Sequence, residues 1–518
     1  MRLTELWGAV RRWHFALPSP RPPRLGGTEP AEARRLADAE RALGRSPDGC
    51  AWLDERTVGD LDLPLVFETI DRTTTPTGAQ ALWRWLVAPA QQVATLADRE
   101  RRLAALTDPD LRRTVREALR RTAVTSNAQY LPRLLWEPAP RPLPLTGFVA
   151  LLVALALAGV LAVMFPIAIL VVVAVFAINV IVDDWANLRL AHQAHALEVL
   201  SDVLAATERV LPRLPTSLTD GVADDLVVMR RLRKRITVLT VRDPFEIINM
   251  LRAGLLVRLF ALGSCVATVE RERERLRRLV LWLGELDALV SVATLRAERD
   301  DTRLPELAES PPWIEAQGLV HPAIEDAVGN DLALAGQSLL VTGSNMSGKS
   351  TFLRTLAVNA ICAQSIHTTF GSWRASLFRV FAVMRTADDT ASGVSTYAVE
   401  VEAIGRLVAA AEHGLPALFA IDEPFSGTNP AVRVPIVVSV LDYLAAHDLT
   451  LAATHDLDVA AQADPRFVRG HFCELDELAG LFDRKLRPGV APSSNALALL
   501  ERAGYPAAIV EAVRSRTG

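Results

Sequence analysis

The sequence predicts an open parallel α/β sheet with flanking helices, joined to an all-α region. Three observations carry that reading. A glycine-rich turn sits between a short apolar run, Leu339–Thr342, and a helical pattern that begins at Phe352. Two more apolar runs, Ala417–Ile421 and Leu449–Ala453, each end in polar or charged residues. Residues 142–182 carry no charged side chain at all, within a region of otherwise charged helical periodicity.

The glycine-rich turn reads Gly343, Ser344, Asn345, Met346, Ser347, Gly348, Lys349, Ser350, Thr351 and fits G-x-x-x-x-G-K-[ST]. Glycines at these places let backbone N–H groups converge on β- and γ-phosphates. The Lys349 ammonium meets the same oxygens, and the Ser350 hydroxyl can hold Mg²⁺. Lys349 is one of only three lysines, with Lys234 and Lys485, among 56 basic residues, so it stands out against an arginine background. Strand, loop and helix together predict a P-loop NTPase that binds ATP with Mg²⁺.

The run Ala417–Ile421 closes on Asp422 and Glu423, the Walker B arrangement. Asp422 is expected to bind Mg²⁺, directly or through water, and Glu423 to orient the attacking water. The run Leu449–Thr454 places His455 just past a strand end, where ligands of a parallel sheet bind, so His455 is expected to sense the γ-phosphate. An ordinary surface histidine is the alternative. Strands and helices alternating over 312–475 imply a parallel sheet covered on both faces. The expected activity is ATP hydrolysis, with Glu423, Asp422, His455 and Lys349 carrying it.

At 518 residues with a net charge of −4, the chain can hold two to four domains and presents no global basic field. Any nucleic-acid partner would be met by a local patch. Cys50, Cys265, Cys362 and Cys473 lie far apart without C-x-x-C spacing, which predicts reduced, buried thiols. Met1–Gly27 lacks a signal-peptide core, and Pro18–Pro23 reads as a stiff linker.

A span of about 20 residues crosses a bilayer core. Residues 143–182 are therefore expected to form a two-helix transmembrane hairpin, Leu145–Met164 and Ile167–Val182, turning at Phe165-Pro166. A buried pair in a soluble core is the alternative, but such helices usually keep a polar stripe, and this segment offers only Thr146 and Asn179. Two crossings keep both termini and the P-loop on the cytoplasmic side, in accord with Arg133, Arg141 and Arg189 flanking the hairpin. The expected location is the cytoplasmic (inner) membrane.

Glu32–Arg45, Val93–Thr122, Asp184–Leu211 and Asp243–Arg299 read as helices. The cluster at 270–278 alternates sign and offers the pairs Glu270–Arg273 and Glu274–Arg278, a solvated face. The cluster Arg230–Arg235 is more purely basic and could meet phosphates or anionic head groups, a solvated face being the plainer reading.

The wording of these motifs resembles the MutS family of DNA mismatch-repair ATPases. Thr342–Thr351 is similar to its T-G-x-N-M-x-G-K-S-T, Ala387–Glu400 to its A-D-D-x-A-S-G-x-S-T-F-x-V-E, Asp422–Asn429 to its D-E-x-x-x-G-T-S and Ala453–His455 to its A-T-H. Gly318–Pro322, with His321, resembles the entry into that family's ATPase domain; Ile70–Pro89 resembles the start of its helical core, and the 487–506 segment its final helices. The resemblance implies nucleotide contacts from His321 and, across a homodimer formed by paired ATPase domains, from Ser395 and Thr396 of the opposite subunit. It also implies DNA as a candidate partner. Too few residues precede Asp71 for the family's mismatch-reading domains, and no Phe-x-Glu wedge occurs there. The chain most resembles membrane-anchored bacterial MutS-like proteins.

The domain organisation expected is an N-terminal helix and linker (1–49), a first part of a MutS-like core (50–142), the hairpin (143–182), a long core/lever-like helical region (183–311), an ABC/MutS-like ATPase domain (312–475) and its closing helices (476–518). The function expected is a membrane-anchored ATPase coupled to DNA. An ATPase subunit of a membrane transport or remodelling system, or an ATP-switched scaffold without DNA, are the alternatives; no L-S-G-G-Q segment supports a transporter.

Overall fold

In the computed structural model, residues 30–120, 130–137, 145–219, 221–240, 246–344, 347–384, 396–411, 414–425, 429–476, 481–491 and 505–517 are described. The Pro-rich linker, Asn345, Met346, Ser395, most of the 387–400 motif, Gly427, Thr428 and 492–504 lie outside them. The chain divides into two units: Thr28–Trp52 with Thr73–Glu298, and Leu53–Arg72 with Arg299–Gly518.

The first unit is helical. Its helices include α1 (Pro76–Val87), α2 (Leu145–Met164), α3 (Ile169–Arg189), α4 (Ala191–Val210), α5 (Val222–Thr240), α6 (Glu246–Gly254), α7 (Val257–Arg271) and α8 (Arg273–Glu298). Thr75 caps α1, its hydroxyl accepting from the Gly78 N–H at 3.0 Å, with Pro76 in the first turn, where its missing N–H costs nothing. α1 packs on α8 along a seam that buries Leu82, Leu86, Leu283 and Leu286. Gly284 is needed there, because a Cβ would stand 2.7 Å from the Thr77 carbonyl oxygen.

α2 ends at Met164 as the apolar run predicts, and a 3₁₀ turn at Pro166–Ala168 reverses the chain. α3 then continues past Val182 to Arg189. The helices anticipated as long runs are broken. Val93–Thr122 divides at Pro109, which starts a new helix. The 243–299 run divides at Leu255-Leu256, where Leu256 is left-handed (φ 51°), and again at Glu272. The ion pairs also differ in part. Glu270 does pair with Arg273, but Glu274 pairs with Arg277, because Arg278 makes a two-pronged bond to Asp225 at 2.9 Å for each oxygen. In the basic cluster, Arg230 and Arg233 share Glu208.

The second unit holds a six-stranded sheet: β1 (Ser338–Thr342), β2 (Arg379–Val383), β3 (Ala417–Asp422), β4 (Leu449–Thr454), β5 (Phe467–His471) and β6 (Arg487–Pro488), in the order β6-β5-β1-β4-β3-β2. β2, β3, β4, β1 and β5 are mutually parallel, and only the short edge strand β6 is antiparallel. β1, β3 and β4 are buried along their full length, as strands covered on both faces must be. On one face Leu340, Phe419, Ile421 and Ala452 pack with Ile404 and Leu407 of α10 (Thr396–Ala410) and Val437, Leu441 and Leu444 of α11 (Pro430–His447). Side chains alternate along a strand, so the neighbouring residues point the other way, and there α9 (Lys349–Ser365) lies against β2, β3 and β4.

The strands at Trp313–Leu319 and Asn330–Ala335 do not join this sheet. They form a separate, largely antiparallel four-stranded sheet with Glu306–Ala308 and Ser372–Ser376. The four cysteines are unpaired thiols: Cys265 and Cys362 are buried, Cys50 and Cys473 half-buried.

Candidate functional site

Register alone brings three strand ends together. Thr454 of β4 is paired with Thr342 of β1, and Ala453 with Asp422 of β3, so Gly343, Glu423 and His455 leave adjacent strands at one level. Gly343 (φ 146°) turns the chain off β1, and a Cβ there would lie 2.7 Å from the Phe472 carbonyl oxygen. Gly348 (φ 110°) opens α9 in a conformation that side chains resist.

Lys349 is buried. Its ammonium donates to the Gly343 and Ser344 carbonyl oxygens, both at 2.8 Å. Burial lowers its pKa, opposed by the nearby Glu423 and Asp422 carboxylates. The charge is thus held over its own loop by weak acceptors that a phosphate oxygen outcompetes. The Ser350 hydroxyl hydrogen-bonds Asp422, whose pKa burial raises. Asp422 Oδ1 is buried and finds no partner among the described residues, and neither does Ser347 Oγ. A hydroxyl beside a carboxylate oxygen that lacks a partner is a hard-oxygen donor set suited to Mg²⁺, so the residues present fit that ion.

Glu423 sits in the left-handed region (φ 47°), a strained state for a non-glycine residue, while its N–H bonds the Ala453 carbonyl oxygen at 2.9 Å. Its Oε1 lies 2.9 Å from His455 Nδ1; the carboxylate is buried and the imidazole half-exposed. The sequence placed these two residues in separate roles, whereas the geometry makes them one hydrogen-bonded pair. Asp456, next in line, caps the following helix and pairs with Arg433 at 2.8 Å.

His321 lines a cavity of about 200 Å³ with Leu319, Ile324, Phe352, Phe472 and, from the loop and the start of α9, Gly348 and Thr351. Burial lowers the His321 pKa to about 4, so its imidazole is neutral at physiological pH. Phe472 and Asn330 carry no recognisable signal in the sequence. Asn330 receives the Leu486 N–H at 2.8 Å and donates to the Arg484 carbonyl oxygen at 3.0 Å, fixing the segment beside Gly348. Thr396 opens α10, while Ser395 lies outside the described residues.

A further group was not legible. The helix Glu55–Asp60 lies along β2, the edge strand. Thr57 Oγ1 accepts from the Ala382 N–H at 3.0 Å and Asp60 Oδ2 from the Met384 N–H at 3.0 Å, while Arg354 of α9 donates to the Asp60 carbonyl oxygen at 3.1 Å. Asp60→Ala is expected to cost about 1–3 kcal/mol through the orphaned Met384 N–H. Asp60→Asn should recover most of it, because its amide oxygen can still accept; thermal melts of the two variants check this.

A family model for MutS domain V matches residues 339–517. The chain is 33% identical over 255 residues to a DNA mismatch repair protein MutS of Thermus thermophilus, covering 47% of this chain and 30% of that protein. It is 32% identical over 260 residues to MutS of Natronomonas pharaonis, covering 46% and 29%. This part of the chain is MutS-like. A protein named DNA mismatch repair protein MutS 2, from Haloarcula marismortui, is 33% identical over 284 residues, covering 48% and 29%. The chain spans less than a third of the length of these MutS relatives. Within the MutS domain V stretch lie the loop with Lys349, the Asp422–Glu423 pair and His455.

Proposed function

We propose that this chain is a MutS-family, Mg²⁺-dependent ATPase that works as a homodimer, is anchored in the cytoplasmic membrane and couples ATP turnover to DNA. The observation that carries the ATPase is the meeting of Lys349, Ser350, Asp422 and Glu423 at neighbouring carboxyl ends of a parallel sheet. Backbone N–H groups of the loop and Lys349 hold the phosphates, and the cavity beside His321 takes the base. Mg²⁺, when bound by Ser350 and Asp422, supplies charge neutralisation to the phosphate oxygens. Glu423, held by His455, orients the attacking water and accepts its proton. Ser395 and Thr396 would complete the site of the opposite subunit.

The membrane reading is supported by the exposure of the hairpin: its two apolar spans, Thr146–Met164 and Pro166–Ala186, are only 11% and 17% buried. Core helices would be covered by protein. Each helix is about 30 Å long at 1.5 Å per residue, the thickness of a hydrocarbon core. Deleting residues 143–182 should move the protein from the membrane pellet to the soluble fraction with ATP binding retained.

The DNA half is tested by titrating duplex and branched DNA at several salt concentrations. Affinity should fall steeply with salt and ATP turnover should respond to DNA. Turnover and binding indifferent to DNA would leave an ATPase with another partner. Lys349→Ala should abolish nucleotide binding in the same assays.

A further inference from the structure

We infer that α6 and the first turn of α7 form a third membrane-seated element, lying in the cytoplasmic leaflet beside the hairpin with lipid acyl chains as their partner. This rests on the membrane reading of the hairpin. α6 is attached to α3 at a definite depth. The Asn179 amide, fully buried, donates to the Gly254 carbonyl oxygen at 2.8 Å, and the Phe176 ring lies so close to Gly254 that a Cβ there would come within 2.0 Å of it. Phe176 and Asn179 precede Asp183, the first charged residue after the apolar run. At 1.5 Å per residue they sit roughly 6–10 Å inside it. Whatever bathes that level of α3 therefore also bathes α6.

The exposed face of α6 matches that surrounding. Met250 and Leu251 of α6, Leu255 in the turn and Val257 at the start of α7 are each about half exposed, and Ile178 and Ile181 of α3 are exposed too. In water this would be an apolar surface with nothing over it; in the leaflet it continues the surface of the hairpin. Leu256, fully buried, is wedged with Phe148, Ala186 and Leu259 at the base of the hairpin, so the turn between α6 and α7 is clamped to both membrane helices. Exposed Arg258, on the first turn of α7, is placed where a long cationic side chain reaches lipid phosphates.

The same contact accounts for Asn179, the one amide in the apolar stretch. A polar group at that depth needs an internal partner, and the last carbonyls of a helix lack donors of their own. The Asn179 NH₂ supplies one to the end of α6, while its Oδ1 has no partner among the described residues.

The test uses the full chain in liposomes, with Cys50 and Cys473 replaced by Ser and an environment-sensitive fluorophore on Leu251→Cys, Val160→Cys or Val432→Cys. Val160 reports the hairpin and Val432 an exposed site on α11. Quenching by nitroxide-labelled acyl chains at both Leu251 and Val160, but not Val432, is the expected result. Asn179→Leu should then reduce quenching at Leu251 and leave Val160 unchanged. Quenching at Val160 alone overturns the inference and leaves the anchor standing; quenching at neither site overturns both.

Discussion

Glu423→Gln should lower ATP turnover by about 10²- to 10⁴-fold, the usual contribution of a positioned general base, while nucleotide affinity changes little. The substitution keeps the shape of the side chain and removes its negative charge and its ability to take a proton. The proposed phosphate-holding groups are Lys349 and the loop N–H groups, and Lys349 is positioned by the Gly343 and Ser344 carbonyl oxygens, not by Glu423. Because His455 reaches the site through its bond to Glu423 Oε1, His455→Ala should reduce turnover by less than Glu423→Gln does. Steady-state phosphate release, set beside titration with a fluorescent nucleotide, separates the two quantities. Turnover unaffected by Glu423→Gln would point to a protein that uses ATP only as a switch.

Asp287→Ala should cost the helical unit about 4 kcal/mol, the largest stability loss expected of any single change there. The Asp287 carboxylate has no exposed surface and sits in the middle of α8. It accepts from the Thr74 N–H at 3.0 Å, the Thr75 N–H at 2.7 Å and the Thr75 hydroxyl at 2.7 Å, and so holds the capping residue of α1. Removing it leaves two backbone donors without an acceptor and a cavity at the densest helix contact. Gly78→Ala should act through the same place, since its Cβ would stand 2.2 Å from Asp287 Oδ2. Denaturant titration followed by helical circular dichroism measures both, and Asp287→Asn, which keeps one acceptor, should fall between.

Local pattern was a good guide wherever the chemistry is local. The loop 343–351, the strand ending in Asp422-Glu423 and the limits of α2 follow from contiguous residues whose spacing is fixed by backbone geometry. Pairings across the chain were not visible. Nothing near Glu423 announces that His455 will bond it, because that contact depends on β3 and β4 being neighbours in one register. Arg278 looked like the partner of Glu274 until α5 brought Asp225 closer. The separation of Trp313–Leu319 and Asn330–Ala335 into their own sheet was equally hidden, since an apolar alternation does not say which edge a strand will join.

The short excursion Leu53–Arg72 has a practical consequence for anyone dividing this polypeptide. A fragment beginning at Arg299 would contain the whole six-stranded sheet yet lack the helix whose Thr57 and Asp60 cover the N–H groups of Ala382 and Met384. Its outermost strand would then be bare, an invitation to strand-to-strand aggregation. Splicing the twenty or so residues of the excursion back onto the fragment's amino end is the rational remedy, and recombination that exchanges this half between homologues has to carry that piece along.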